Sequence, residues 1–79
     1  MKVWVISPEA TLYEGESNAV IAPAFDGEVG ILAGHAPMIT ALGKGTLRLG
    51  DGASFQVERG FLQVADDQVR VVTERAGKA

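Results

Sequence analysis

His35 is the only histidine in a chain that has no cysteine. A usual zinc site takes three or four ligands drawn from Cys, His and carboxylate, so one imidazole cannot anchor such a site, and thiolate and disulfide chemistry have no residue to act through. His35 could serve as a base beside a carboxylate, but no nucleophile motif surrounds it. In Gly34-His35-Ala36-Pro37 the ring is expected to hydrogen-bond a loop or a partner. Glu14 and Glu16 straddle Gly15, and Asp66 and Asp67 are adjacent. Calcium wants several oxygen ligands from one ordered loop, so these carboxylates read as solvated turn residues. Lys44 lies between Gly43 and Gly45 without the Gly-x-x-x-x-Gly-Lys-Ser/Thr spacing of a phosphate-cradling loop. No catalytic residue, cofactor or metal is expected from these groups.

Binding is then the default role, and Phe25 is its first candidate. In Ala24-Phe25-Asp26-Gly27-Glu28 a large apolar side chain stands beside acids in what reads as a turn, where exposure is costly unless something covers it. Two readings stay open: the ring folds back onto the core, or a partner covers it.

Composition narrows the partner. The 79 residues are one domain at most, and a domain this short buries only about 60% of its unfolded surface, which makes packing partners welcome. With 47% hydrophobic and 22% charged residues the chain is globular rather than disordered. Ten acidic and seven basic residues give a net charge of −3, with both signs scattered. Phosphate binding needs clustered Lys and Arg, and aromatics at 6% are too few for a base-stacking platform, so nucleic acid is not an expected partner. No apolar run approaches the roughly 20 residues that span a bilayer, and Met1 to Ser7 lacks a basic n-region and a cleavage site. A soluble, intracellular chain without direct membrane insertion is expected.

The elements that would position these residues are strands. Val3 and Val5 alternate against Lys2, Trp4 and Ile6 in a two-sided apolar run that Ser7-Pro8-Glu9 breaks. Short apolar runs follow at Thr11-Leu12-Tyr13, Ala19-Val20-Ile21-Ala22 and Glu28-Val29-Gly30-Ile31-Leu32, the last two separated by the Asp26-Gly27 turn signal. Met38-Ile39-Thr40-Ala41-Leu42 resumes after a loop, and Gly43-Lys44-Gly45 breaks it. Asp51-Gly52 between Thr46-Leu47-Arg48-Leu49 and Ser54-Phe55-Gln56-Val57-Glu58 predicts a hairpin with a type I′ turn. Phe61-Leu62-Gln63-Val64 and Gln68-Val69-Arg70-Val71-Val72 flank another turn at Asp66-Asp67. Turn signals recurring about every 8–12 residues predict an all-β sandwich or barrel. Gly30, inside a strand pattern, predicts a bulge or tight bend, or else a site where another chain's backbone comes close. Residues 73–79 have helix-compatible composition but are too short for a stable helix and read as a frayed terminus.

The run Asp26-Gly27-Glu28-Val29-Gly30-Ile31-Leu32-Ala33-Gly34-His35-Ala36-Pro37-Met38-Ile39-Thr40-Ala41-Leu42 closely resembles the signature of bacterial and chloroplast ATP synthase epsilon subunits. Ser7-Pro8-Glu9, Leu12-Tyr13-Glu14-Gly15, Val20-Ile21-Ala22-Pro23, Gly45-Thr46-Leu47-Arg48-Leu49, Gly60-Phe61-Leu62-Gln63-Val64 and Val69-Arg70-Val71-Val72-Thr73 follow in the family's order. The resemblance covers essentially the whole chain. It implies a flattened β-sandwich of about ten short, mostly antiparallel strands, placed at the foot of the central stalk. It further implies a non-catalytic rotor piece that links the gamma subunit to the polar loops of the c-ring, driven by protons or sodium ions, peripheral on the cytoplasmic face of a bacterial plasma membrane. By position, Phe25, Asp26, Gly27, Glu28 and Val29 match the c-ring-facing loop, with Glu28 its polar contact, and Gly34, His35, Ala36, Pro37 and Met38 match part of the gamma-facing surface. Most family members continue into a two-helix C-terminal domain that inhibits ATP hydrolysis and sometimes binds ATP. This sequence stops at Ala79, so neither property is expected here, and its untagged start and tail favour a naturally short subunit.

Two other classes compete. A lipoyl- or biotinyl-type carrier would present a modifiable lysine on a tight hairpin; Lys44, between glycines in Leu42-Gly43-Lys44-Gly45, lacks the Asp or Met neighbours such lysines usually have. An enzyme would need His35 and carboxylates to converge in a pocket, which their spacing does not support.

Overall fold

The structure, a computed structural model, describes residues 1–78. Eight strands follow one another: β1 (Lys2–Ile6), β2 (Thr11–Glu16), β3 (Ala19–Ala24), β4 (Gly27–Leu32), β5 (Met38–Ala41), β6 (Gly45–Leu49), β7 (Ser54–Ala65) and β8 (Gln68–Lys78). Among the described residues there is no helix. The order across the sheet is β2-β1-β8-β7-β6-β3-β4, with β5 paired to β7 off this path. Every named pair is antiparallel except β1 with β8.

Period-two alternation decides which side chains face inward. Val3 and Val5 of β1, Val69 and Val71 of β8, and Leu62 and Val64 of β7 are buried. They meet Val20 and Ala22 of β3, Ile31 of β4, Leu47 and Leu49 of β6, and Phe55 and Val57 of the first half of β7 in a single core cluster. The sheet thus folds over itself into a two-layered sandwich, all-β as the sequence predicts. Its strands number eight rather than about ten. Two expected short strands, 54–58 and 61–64, are halves of β7, which pairs with β6 through its first half and with β5 through its second.

Three local expectations are corrected. Residues 73–78 are not a frayed, helix-compatible tail: they continue β8, with Thr73 opposite Gly60 and Arg75 opposite Glu58. The long partner strand offers a ladder that overrides local composition. Ala79 lies outside the described residues. Gly30 makes no bulge, since β3 and β4 pair without a slip from Ala19 with Leu32 to Ala24 with Gly27. The loop around Asp51 is wider than a type I′ turn, with Gly52 at φ 96° as its only positive-φ residue. The two-residue turn with both φ values positive is Asp66-Asp67, at 51° and 58°. Asp tolerates the left-handed region better than most residues, so the turn expected at Asp66-Asp67, rather than the one at Asp51-Gly52, takes the two positive φ values.

Asp51 has another task. Its carboxylate accepts a hydrogen bond from the Ala53 N–H at 2.9 Å and one from the Tyr13 hydroxyl at 2.9 Å. The Tyr13 ring also meets Phe55 edge-on, with centroids 6.0 Å apart. This latch ties edge strand β2 to the opposite layer. The hydrogen bond from Ala53, then that from Tyr13, holds the Asp51 carboxyl below its ordinary 3.8. The bond to Asp51, followed by burial and by the carboxylate's charge, raises the Tyr13 hydroxyl above its ordinary 10.0.

Midway along β7 the chain leaves extended geometry, with Arg59 at φ 58° and Gly60 at φ 129°. A Cβ on Gly60 would run into the carbonyl oxygen of Val72 and stand 2.8 Å from the Cα of Thr73. Gly60→Ala should therefore cost about 3 kcal/mol or more in urea unfolding, combining left-handed strain with a backbone clash. Arg59→Gly, by contrast, relieves left-handed strain and should stabilise by up to about 1 kcal/mol. For the latch, the depressed Asp51 value stabilises above 3.8, and that contribution is lost as pH falls through the lower folded value. The raised Tyr13 value stabilises below 10.0, and is lost as pH rises through its higher folded value. Tyr13→Phe should flatten both limbs of a melting-temperature profile against pH.

Candidate functional site

The first candidate segment is the turn between β3 and β4. Phe25 and Asp26 form the turn, and Gly27, at φ 133°, reopens the strand opposite Ala24. Its base is bolted to the end of β5: the Phe25 N–H donates to the Ala41 carbonyl at 3.1 Å, and the Gly43 N–H donates to the Pro23 carbonyl at 2.7 Å. Ala24 also bridges to Leu42. Phe25 is 70% exposed, which excludes the core-facing reading. Asp26, Gly27 and Glu28 are exposed as well, whereas Val29 turns inward against the core. A Glu28 carboxylate oxygen lies 3.3 Å from the Arg48 guanidinium on β6.

The second segment is the loop between β4 and β5. Gly34, at φ 82°, donates its N–H to the Asp67 carboxylate at 3.1 Å, and the His35 N–H donates to the Leu32 carbonyl at 3.1 Å. His35 Nδ1 stands 2.6 Å from the Ala36 carbonyl, a contact that places a proton on Nδ1. Gly34, Ala36 and Pro37 are exposed, His35 is half-buried, and Met38 packs on the core. The ring of His35 thus braces its own loop. The structure does not bring the two segments together. They cap opposite ends of β4, whose five residue steps separate them by roughly 17 Å.

Sequence reasoning missed the apolar surface beside the second loop. Leu32 is 65% exposed and Ile39 68%. From Ile39, outward positions on the same face continue across the sheet, through Ala41 to its partner Phe61, then Val72, then Ile6. The signal was present in strands apolar on both faces, such as Val3-Trp4-Val5-Ile6, because a strand needs only one face for the core. Trp4, on this same surface, lies between the Lys2 ammonium at 5.6 Å and the Arg70 guanidinium at 5.3 Å from its ring.

Among the described residues no cluster of three His, Asp or Glu could hold a metal ion. Lys44 is exposed on the short link from β5 to β6, two strands that pair with the same neighbour. It is not at the tip of a tight hairpin, so the carrier geometry is missing.

The family description "ATP synthase, Delta/Epsilon chain, beta-sandwich domain" matches residues 1–79. The chain belongs to this family. Among relatives of the delta/epsilon β-sandwich, a protein of Leptospira interrogans named ATP synthase epsilon chain is 40% identical over 77 residues, covering 94% of this chain and 61% of its own. One of Rhodopirellula baltica with the same name is 47% identical over 75 residues, covering 91% and 59%. The chain thus spans about three fifths of the length of the curated relatives it matches. Two solved structures share the fold. A chain in the Euglena gracilis mitochondrial ATP synthase, resolved as OSCP, F1 and c-ring, has TM-score 0.88 at 23% identity, covering 96% of this chain and 51% of its own. A chain in the Tetrahymena thermophila central stalk and c-ring has TM-score 0.82 at 13% identity, covering 98% and 65%.

In this delta/epsilon domain, the brace on the second loop has a direct readout. Asp67→Gly keeps the left-handed turn residue and removes the acceptor for the Gly34 amide. Exchange of that amide should speed up about tenfold, the equivalent of a hydrogen bond of roughly 1.4 kcal/mol, with the melting temperature little changed.

Proposed function

We propose that this chain is an epsilon-type β-sandwich at the foot of the central stalk of an F-type ATP synthase, joining the gamma subunit to the polar loops of the c-ring. It transmits ion-driven rotation toward the catalytic head and makes or breaks no bond itself. The observation that carries the reading is the pair of braced, exposed loops capping opposite ends of β4, as a piece held between two neighbours requires. The names of the relatives, and the central stalk and c-ring in the titles of the fold neighbours, support it.

The turn with Phe25, Asp26, Gly27 and Glu28 is the ring-facing surface in this reading. The loop with Gly34, His35, Ala36 and Pro37 is part of the gamma-facing one. Exposed Leu32 and Ile39 adjoin that loop and extend its contact with apolar area. The whole sits peripherally at the cytoplasmic face of a bacterial plasma membrane and takes no nucleic acid partner.

Co-purification with the matching gamma subunit, followed by titration onto its c-ring, tests the assignment. The wild-type chain should bind gamma stoichiometrically. Ile39→Asp and His35→Asp should each weaken that binding about tenfold, the scale of a charge placed in an apolar contact. Phe25→Asp should spare gamma and weaken the ring contact. A folded wild-type chain that ignores gamma would refute the proposal.

A further inference from the structure

On the outer face of β6, β3 and β4, Arg48 reaches over the strand between it and Glu28. Arg48 is the register partner of Ile21, and Glu28 that of Pro23, on opposite sides of β3. The Arg48 Nη2 and Glu28 Oε2 atoms are 3.3 Å apart, with side chains 51% and 60% exposed. The carboxylate so engaged belongs to the turn assigned above to the ring, beside exposed Asp26 and Phe25. The turn is therefore not a bare acidic tip: an arginine of the same chain already neutralises one of its two carboxylates.

We propose that Arg48 is an intramolecular competitor that sets how tightly this turn holds a cationic partner loop. The inference rests on the ring-facing reading of the turn. An incoming Lys or Arg must take Glu28 away from Arg48. Exposed ion pairs are weak because water and salt screen them, so the exchange is open to a partner cation. The same cation approaching a carboxylate already paired meets less net negative charge and is steered less strongly. Arg48 thus lowers affinity and salt sensitivity together, leaving a contact that can be remade as the neighbouring surface changes. Charge complementarity selects the partner: with Asp26 and Glu28 at its edge and Phe25 at its tip, the turn fits a basic loop that offers an apolar seat.

The test titrates the gamma-bound chain onto the detergent-solubilised c-ring of the same synthase, in wild type, Arg48→Met, Glu28→Gln and the double variant. Both positions are exposed, and unchanged melting would show that each variant folds. Arg48→Met should tighten binding about three- to tenfold at low salt, with the gain disappearing near 1 M salt. Glu28→Gln should weaken binding, and Arg48→Met added to it should change nothing more. Weaker or unchanged binding by Arg48→Met, while Glu28→Gln still weakens it, would overturn the competitor role and leave the ring-facing turn standing. If Glu28→Gln and Phe25→Asp are also without effect, the ring-facing reading itself falls, and the competitor role with it.

Discussion

Two long strands must serve both layers of the sandwich, and they can do so only by departing from regular geometry at one place. β7 and β8 keep a single register from Phe55 with Lys78 to Ala65 with Gln68, yet Arg59 and Glu74 are not ladder partners within it. Gly60 supplies a backbone turn that a side chain would block. Thr73, only 1% exposed, supplies the polar groups the interrupted ladder lacks. Its hydroxyl accepts the Glu58 N–H at 3.3 Å and stands within donating distance of the carbonyls of Glu58 at 3.0 Å and Arg75 at 2.7 Å. An unpaired backbone group in such a place would carry its full desolvation cost. The corner is therefore stable because one residue has no side chain and its register partner has a hydroxyl.

Other parts of the molecule hang from that corner. The Leu42 N–H donates to the Gly60 carbonyl at 3.0 Å, fixing the end of β5. The end of β5 then accepts the Phe25 N–H, so a short relay of backbone bonds runs from the corner to the tip of the β3–β4 turn. At the far end of β4, the Asp66-Asp67 turn does the equivalent work: Asp67 accepts the Gly34 N–H through its carboxylate and the Lys2 N–H through its carbonyl. Each exposed loop is held by a neighbouring element, which suits a part whose proposed task is to pass on a mechanical load.

Alternation and turn signals made the class, most strand positions and the inward face legible in the sequence. Val3 with Val5, Leu47 with Leu49, and Phe55 with Val57 are read correctly because burial on one face is a local, period-two property. The fusion of two strands into β7 was not legible, because Arg59-Gly60 looks like a turn to any local rule. Only the pairing of β8 on both sides of it keeps the strand continuous. Residues 73–78 escape local rules for the same reason, their state being set by pairing with β7 rather than by their own composition. At the candidate site, the family pattern singles out two loops but says nothing of their surroundings. The ion pair between Glu28 and Arg48, and the outward row from Ala41 to Ile6, depend on strand order, which alternation alone does not specify.

The two surfaces differ in the kind of contact they can make. Beside the second loop lie Leu32, Ile39 and Pro37, with Phe61 on the adjoining strand. Covering such side chains removes apolar area from water at about 25 cal/mol per Å², a contribution that salt hardly screens and that favours a lasting joint. The turn at the other end offers one exposed aromatic ring amid screened, exchangeable charge. The proposed placement, between a lasting partner and one that moves past, would call for this asymmetry. Equally apolar surfaces at both ends would leave a domain of 79 residues prone to self-association before assembly. Equally polar ones would leave the proposed rotor role without a fixed attachment.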